Sequence, residues 1–445
     1  MTSLSQALRL KRHTYVAFVG AGGKTTAMFQ AARELVPVLV STSTHLGAWQ
    51  ARLADAHFTW KVGAPMPDLE HQACAGVTLI TGELKAESQR YAGLSVTQLE
   101  DLRQFAAFHY LPLLIEADGA RQKPLKAPGE NEPVIPANVD LVVLLAGLSG
   151  LGQPLGTDSV HRPELFGKLS GLAPGEIIHP QTLAQVLTQP EGGLKNIPPQ
   201  SRRVVLLNQA DTPALQSEAK GLADRLLAVH DAVVVAALGK QPGGVMAIHE
   251  HIAGVILAGG GSSRFGQPKQ LLDYHGKTFV RSVAETALRA GLEPLVLVSG
   301  SNAEAVSAAV AGLPLIIAHN PQWQAGQSTS LKTGLSRLPS NTGGAIFLLA
   351  DQPQVSAELL RALVERHSQD LVPILAPYVF DQRANPLLFD QITFPDLQAV
   401  TGDMGGRAIF SKFSPRYLNW YDRRLLLDVD TPEDYRRLID ADNEA

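Results

Sequence analysis

Short apolar runs rich in β-branched residues recur along this chain, each running into a glycine-rich turn or a stretch with helical spacing, as YVAFVG runs into TTAMFQAARELV. Continuous apolar runs of this length predict strands buried on both faces, and their alternation with helical segments predicts a parallel sheet flanked by helices. In the first half the predicted strands are Tyr15–Val19, Val38–Ser41, Leu113–Glu116, Leu141–Leu145, Val204–Leu207 and Ala232–Ala236. The stretch LGKQPGGVMAIHEH, Leu238–His251, contains glycine and proline and reads as a boundary. A fresh strand and glycine turn begin at Ile252–Ala258, followed by a helix through Val280–Ala290, the runs PLVLVSG and PLIIAHN, a helix near Lys332, and AIFLLADQP. The expectation is an α/β protein of two three-layer α/β/α domains, residues 1–245 and 250–445.

At 445 residues the chain exceeds what one hydrophobic core serves, which agrees with two domains. Its net charge of −4 gives no long-range pull toward nucleic acid or an anionic membrane, so neither is an expected partner, and any phosphate must be held by local groups. The only cysteine, Cys74, excludes a disulfide framework and a cysteine-ligated metal cluster, and points to a reducing cytoplasm. The start of the chain lacks an apolar core of signal-peptide length, and no apolar run is long enough to span a bilayer, so neither export nor membrane insertion is expected.

Two glycine-rich turns carry the chemistry. In the second half, strand VILA enters Gly259-Gly260-Gly261-Ser262-Ser263-Arg264, with Lys269 following. Glycines let backbone N–H groups converge on phosphate oxygens, and the arginine and lysine add positive charge over them, an arrangement suited to a triphosphate attacked at its α-phosphorus. Asp351 lies at the carboxyl end of the strand in AIFLLADQP, where ligands of open α/β sheets gather, and can hold Mg²⁺ against phosphates. Asp428 and Asp430, two apart, offer a second carboxylate in Asp430, and the same Asp430 fits the N-cap of a helix with Pro432 in its first turn, a reading compatible with the first.

In the first half, Gly20-Ala21-Gly22-Gly23-Lys24-Thr25-Thr26 sits between a strand and a helix. Phe18 stands where the longer P-loop carries its first glycine, so this is a shorter version resembling the loop of Mur-type ligases. It offers helix N-terminal N–H groups, a lysine for phosphate oxygens and a Thr25 hydroxyl for Mg²⁺, with Glu116 and Asp118 where a metal-side acid would sit. Asn208 and Asp211 fit either a base-reading loop or an Asx turn. Arg121, Lys123 and Lys126, with His161 and Arg162, could bind an anion or form a salt-bridged surface.

The second half resembles the molybdenum cofactor nucleotidyltransferases over residues 252–437, through LAGGGSSRFGQPKQLL, Asn320-Pro321, GQSTSL, LLADQPQV, Thr401 to Arg407 and Asp428-Val429-Asp430-Thr431-Pro432. It is closer to the MocA-like cytidylyltransferases than to the MobA-like guanylyltransferases. The resemblance implies a Rossmann-like fold in which Gly259–Gly261, Ser262 and Ser263 cradle phosphates. Arg264 and Lys269 hold the triphosphate, Asp351 and Asp430 bind Mg²⁺, and Ser328, Ser330, Asn385, Asp403 and Gly405 meet the substrate. CTP or GTP would donate the nucleotide, the cofactor's phosphate would attack, and pyrophosphate would leave. The chain departs from the family at Gly260, where cytidylyltransferases favour alanine, at Ala350, commonly glycine, and at Ala384-Asn385-Pro386, where Gly-His-Pro is usual.

Residues 12–240 resemble the YqeC family, most specifically through Glu116-Ala117-Asp118-Gly119 to Lys126-Ala127-Pro128. That implies a P-loop-like accessory domain serving a molybdenum hydroxylase client. A sugar-phosphate nucleotidyltransferase and a non-catalytic cofactor chaperone are the alternatives.

Overall fold

The computed structural model describes residues 2–69, 75–240, 244–260, 265 and 267–443. They form two compact units, Met1–His249 and Glu250–Ala445. The first is built on a nine-stranded sheet in the order Val245–Glu250, Ala232–Ala236, Arg202–Asn208, Leu141–Gly147, Tyr15–Gly20, Leu113–Glu116, Val38–Thr42, Val77–Thr81, Ala56–Thr59. From Ala232–Ala236 to Ala56–Thr59 every neighbouring pair is parallel. Successive side chains of a strand point to opposite faces. Tyr15, Ala17 and Val19 join a core with Leu99, Leu102, Leu183, Leu187, Leu222 and Leu226 of three helices. Val16 and Phe18 are fully buried on the other face, the side of helix Lys24–Glu34, whose Ala27, Met28 and Ala31 are also buried. Each such large apolar side chain contributes about 2 kcal/mol by burial.

The stretch read as the domain boundary holds the edge strand Val245–Glu250, and the first unit runs to His249. Its burial is irregular, with Val245, Ile248 and Glu250 buried among half-buried neighbours, so VMAIHE lacks the strict alternation that marks a strand in sequence.

The second unit contains an eight-stranded mixed sheet in the order Ile316–His319, Leu295–Ser299, Ile252–Ala258, Gly344–Leu349, Leu387–Asp390, Ile374–Val379, Gln382–Arg383, with Arg416–Asn419 also paired to Ile374–Val379. Ile252–Ala258 is parallel to both of its neighbours, and the sheet turns antiparallel at Leu387–Asp390. Two apolar clusters cover its faces. Ile252 and Ile256 pack with Val280, Val283, Leu359 and Leu363 from helices Phe279–Arg289 and Ala357–Asp370, whereas Ala253 and Val255 pack with Leu331 and Leu335 of helix Gln327–Leu335. This is a three-layer, Rossmann-like arrangement. From Ile252–Ala258 the chain first builds the sheet on one side and then crosses to Gly344–Leu349 on the other, which makes a topological switch between them. Leu257 and Leu349 are register partners there, so Gly259 and Asp351 emerge side by side. Among the described residues no helix is long and apolar enough to cross a membrane.

Candidate functional site

At the switch point of the second unit, Lys269 brings two carboxylates together. Its Nζ hydrogen-bonds Asp430 and lies 4.0 Å from Asp351 Oδ2, with only 12% of its side chain exposed. Burial pushes the Asp351 carboxyl above the usual range, and Asp428 and Asp430 add to this, whereas Lys269 and a backbone hydrogen bond oppose it. Gln352 Nε2 donates to Asp428 Oδ1 at 2.9 Å, and Gln354 Nε2 donates to the Leu427 carbonyl at 2.8 Å. The loop after Asp351 is thereby fastened to the segment bearing Asp430. These two glutamines were missed in the sequence, although their alternation in DQPQ was the available signal.

Asp430 is not the N-cap. Helix Pro432–Asn443 is capped by Thr431, whose Oγ1 accepts the Asp434 N–H at 3.2 Å while the Asp434 carboxylate accepts the Thr431 N–H at 2.9 Å. This reciprocal capping box leaves the Asp430 carboxylate to Lys269.

The glycine turn is joined to this segment by Gln270, the neighbour of Lys269, whose Nε2 donates to the Gly260 carbonyl at 3.4 Å. Glycine at 300 permits close packing, because a Cβ there would fall 2.5 Å from the Gly259 carbonyl oxygen. Ser301 Oγ donates to the Gly260 carbonyl at 3.2 Å, which turns that carbonyl toward protein. Added carbon at Gly260 meets open space, so an alanine would fit. Gly261, Ser262, Ser263 and Arg264 lie outside the described residues.

A cavity of about 410 Å³ opens at the same end of the sheet, lined in part by Leu257, Leu349, Phe389, Asn385, Asp403 and Arg407. Of the expected substrate residues, Asn385 and Asp403 line it. Gly405 has a left-handed φ of 54°, and a Cβ there would fall 2.4 Å from Gln327 Oε1. The glycine thus packs the loop against the helix that contributes Gln327. Ser328 and Ser330 are buried outside the lining, and Ser330 Oγ accepts from Asn320 Nδ2 at 2.9 Å beside Gly259.

In the first unit the loop after Tyr15–Gly20 carries a buried ion network. Lys24 Nζ donates to the Gly20 carbonyl at 2.7 Å and lies 3.2 Å from Asp118 Oδ1 and 3.9 Å from Glu116 Oε1. Thr25 Oγ1 donates to Glu116 Oε2 at 2.8 Å and accepts from Gln50 Nε2 at 2.7 Å. Asp118 Oδ2 accepts from Lys126 Nζ at 2.8 Å, and Lys126 also bonds Glu132, which Arg162 grips with two bonds of 2.8 Å. Burial pushes Glu116 up, opposed by Lys24 and Thr25. Burial also raises Glu132, but the bonds from Arg162 and Lys126 outweigh it and hold the carboxyl down at about 2. His161 is lowered to about 4, by burial and then by Arg162, Lys126 and Arg121. Lys126 and Arg162 therefore serve an internal ion network, while Arg121 stays exposed.

The N–H groups of Gly20, Ala21 and Gly22 are occupied, donating to Asp118 Oδ2, the Leu145 carbonyl and the Lys123 carbonyl. Glycine is needed at 20 and 22 for packing, since with φ of 93° and 85° their Cβ atoms would lie within 2.3 Å of the Leu145–Gly147 backbone. The donors suited to an anion are those of the first helical turn, at Lys24, Thr25 and Thr26 after Gly23, which have no intrahelical acceptor. Asn208 is buried and braced, donating to the Gly22 carbonyl at 2.8 Å and accepting from Leu238 N–H at 3.0 Å. Its amide holds the loop and is not turned outward to read a base. Among the described residues no group of three or more histidine, cysteine or acidic side chains is gathered for a metal.

Residues 16–164 match the model of the YqeC protein family, and residues 254–417 match the MobA-like NTP transferase domain. The first half is 32% identical over 216 residues to Uncharacterized protein YqeC of Escherichia coli, covering 47% of this chain and 82% of that protein. The chain is a YqeC-family domain joined to a MobA-like NTP transferase domain. By family, its MobA-like unit is a nucleotidyltransferase. That unit is 32% identical over 198 residues to Nicotine blue oxidoreductase of Paenarthrobacter nicotinovorans, covering 42% of this chain and 96% of that protein. It is 26% identical over 196 residues to a protein of Bacillus mycoides named Probable molybdenum cofactor guanylyltransferase, covering 41% of this chain and 93% of that protein.

Proposed function

We propose that the MobA-like unit transfers a nucleoside monophosphate from a nucleoside triphosphate, CTP in preference to GTP, to the terminal phosphate of the molybdenum cofactor, releasing pyrophosphate. The observation that carries this reading is the convergence of Lys269, Asp351 and Asp430 at the switch point, beside the Gly259–Gly260 turn and a cavity large enough for a planar ligand. One ammonium lies within reach of both carboxylates, so a divalent cation could be held by the same pair. Two carboxylates completed by water and phosphate oxygens suit Mg²⁺, which would neutralise charge on the triphosphate. Lys269 would then turn from the carboxylates to the phosphates and stabilise charge as the α-phosphorus is attacked. Asn385, Asp403 and Arg407 would orient the acceptor from the cavity wall, and its apolar lining would exclude water.

The base is chosen on the cytidylyltransferase-like segments GQPKQLL, LLADQPQV and Asp428-Val429-Asp430. Gly260 lacks the methyl group of an alanine, which would favour a larger base, but volume alone selects weakly, whereas hydrogen bonds to a base edge penalise the wrong base more strongly. The YqeC-family unit would bind a nucleotide at Gly23–Thr26 and assist maturation of a molybdenum hydroxylase. Incubation with molybdenum cofactor, Mg²⁺ and each triphosphate in turn, with the product identified by mass, tests the proposal. Failure to form a dinucleotide with any of them rejects it. A relative named an oxidoreductase shares this unit's length, so NADH and NADPH consumption belong in the same assay. Paired carboxylates held by a lysine serve phosphoryl chemistry and favour transfer.

A further inference from the structure

Beside the glycine loop of the first unit stands a small three-stranded sheet of His45–Gly47, Arg90–Ala92 and Leu84–Lys85. Its register sets Gly47 and Lys85 each opposite Arg90, and His45 opposite Ala92. Residues directly opposite in antiparallel strands share a face, so His45, Gly47, Lys85 and Arg90 lie together on one face. His45, Lys85 and Arg90 are all exposed, whereas Leu46 on the reverse face is buried.

This face holds an uncompensated like-charge pair. Lys85 and Arg90 are cross-strand partners, an arrangement that destabilises a sheet, and among the described residues neither has a carboxylate partner. Lys85 Nζ is 3.2 Å from His45 Nε2, and the His45 ring is held below its usual range by burial and then by Lys85 and Arg90. A neutral His45 accepts from the lysine and leaves both cations without a counterion. Trp49, 61% exposed, lies against the same face, since a Cβ at Gly47 would come 3.1 Å from its Nε1. The neighbouring Gln50 accepts the Gly47 N–H at 2.7 Å and donates to Thr25 Oγ1 at 2.7 Å, which ties the face to the glycine loop.

We propose that Lys85, Arg90, His45 and Trp49 form a binding site for a small planar aromatic anion, set next to the Thr25 side of the loop. The ring stacks on the exposed indole and the anionic group lies between Lys85 and Arg90, which supplies the missing counterion. A small molecule suits the site better than a nucleic acid, because the sheet is small and the chain carries a net charge of −4. The site goes beyond nucleotide binding at Gly23–Thr26 and does not depend on it.

Calorimetric titration of the full chain with 2-naphthoate tests the proposal, with cyclohexanecarboxylate as the non-aromatic anion. The aromatic anion binds and cyclohexanecarboxylate binds at least about tenfold more weakly, the ratio expected when stacking contributes. Trp49→Leu weakens 2-naphthoate binding about tenfold, and the double substitution Lys85→Gln with Arg90→Gln weakens it by about tenfold or more. Arg90→Gln alone does not lower the melting temperature, because it relieves like-charge repulsion. Equal binding of both anions, full affinity in the double variant, no binding at millimolar probe, or a lowered melting temperature in Arg90→Gln would each overturn the proposal.

Discussion

Replacing Lys269 with alanine should separate two properties that usually fall together. The Lys269 ammonium hydrogen-bonds Asp430 and lies 4.0 Å from Asp351, so it sits where the proposed metal would be held. At that distance a unit charge pair attracts by about 4 kcal/mol in a partly screened setting. The Asp351 and Asp430 side chains are 40% and 58% exposed, and such pairs retain only about 1 kcal/mol after solvent screening. A competitor of that strength removed from the carboxylates corresponds to about five- to tenfold tighter binding of a divalent cation. Mn²⁺ binding to the wild-type and Lys269→Ala proteins, followed by electron paramagnetic resonance without nucleotide, measures this directly. The variant should bind Mn²⁺ about five- to tenfold more tightly while losing transfer at least about a hundredfold, since the charge over the reacting phosphates is gone. Unchanged or weaker Mn²⁺ affinity in the variant would refute the idea that lysine and metal share the two carboxylates.

Other consequences follow from named contacts. Because the Asp351 carboxyl is pushed above its ordinary range, Mn²⁺ binding should be lost as pH falls through that raised value, and at a still higher pH in Lys269→Ala, where an opposing charge is missing. The raised value also means that ionising Asp351 disfavours the folded state, so Asp351→Asn should melt no lower than wild type above that pH while transfer falls about a hundredfold. Thr431→Ala removes the capping box and should lower stability by about 1 kcal/mol, read as a melting shift of about 2–4 °C. Asn208→Ala strands the Gly22 carbonyl and the Leu238 N–H, and should destabilise the first unit by about 2–4 kcal/mol in calorimetry without altering transfer. A fragment ending at residue 244 lacks the edge strand Val245–Glu250 and should be less soluble than one ending at 249.

Most buried strands were legible because a doubly covered sheet demands uninterrupted apolar runs, and YVAFV, LLIE and AVVVA supply them, although the two threonines of VTLIT hid the equally buried Val77–Thr81. Ala56–Thr59 and Val245–Glu250 were not, since edge strands are half-buried and their residues follow neither a continuous nor an alternating pattern. Gly259, Lys269, Asp351 and Asp430 could be named because charge and glycine beside a strand end have few other uses, and the structure brings Lys269 to both acids. What sequence could not give was partnership. Nothing local shows that Lys126 and Arg162 serve Asp118 and Glu132, that Gln352 reaches Asp428 or that Gln50 reaches Thr25. The Asp430 cap was ambiguous for a related reason: Asp430 and Thr431 are both good caps, and the choice rests on Asp434 bonding back to Thr431.

In the proposed reaction the α-phosphoryl group, with its nucleoside, moves to the phosphate of the molybdenum cofactor. CTP labelled either at the α- or at the γ-phosphorus, supplied with Mg²⁺ and molybdenum cofactor, tests this most directly. α-Label should enter the pterin product in one-to-one proportion with pyrophosphate, γ-label should appear only in pyrophosphate, and GTP should give a lower kcat/KM. γ-Label in the pterin product, or no label in it from either nucleotide, would rule out nucleotidyl transfer to the cofactor.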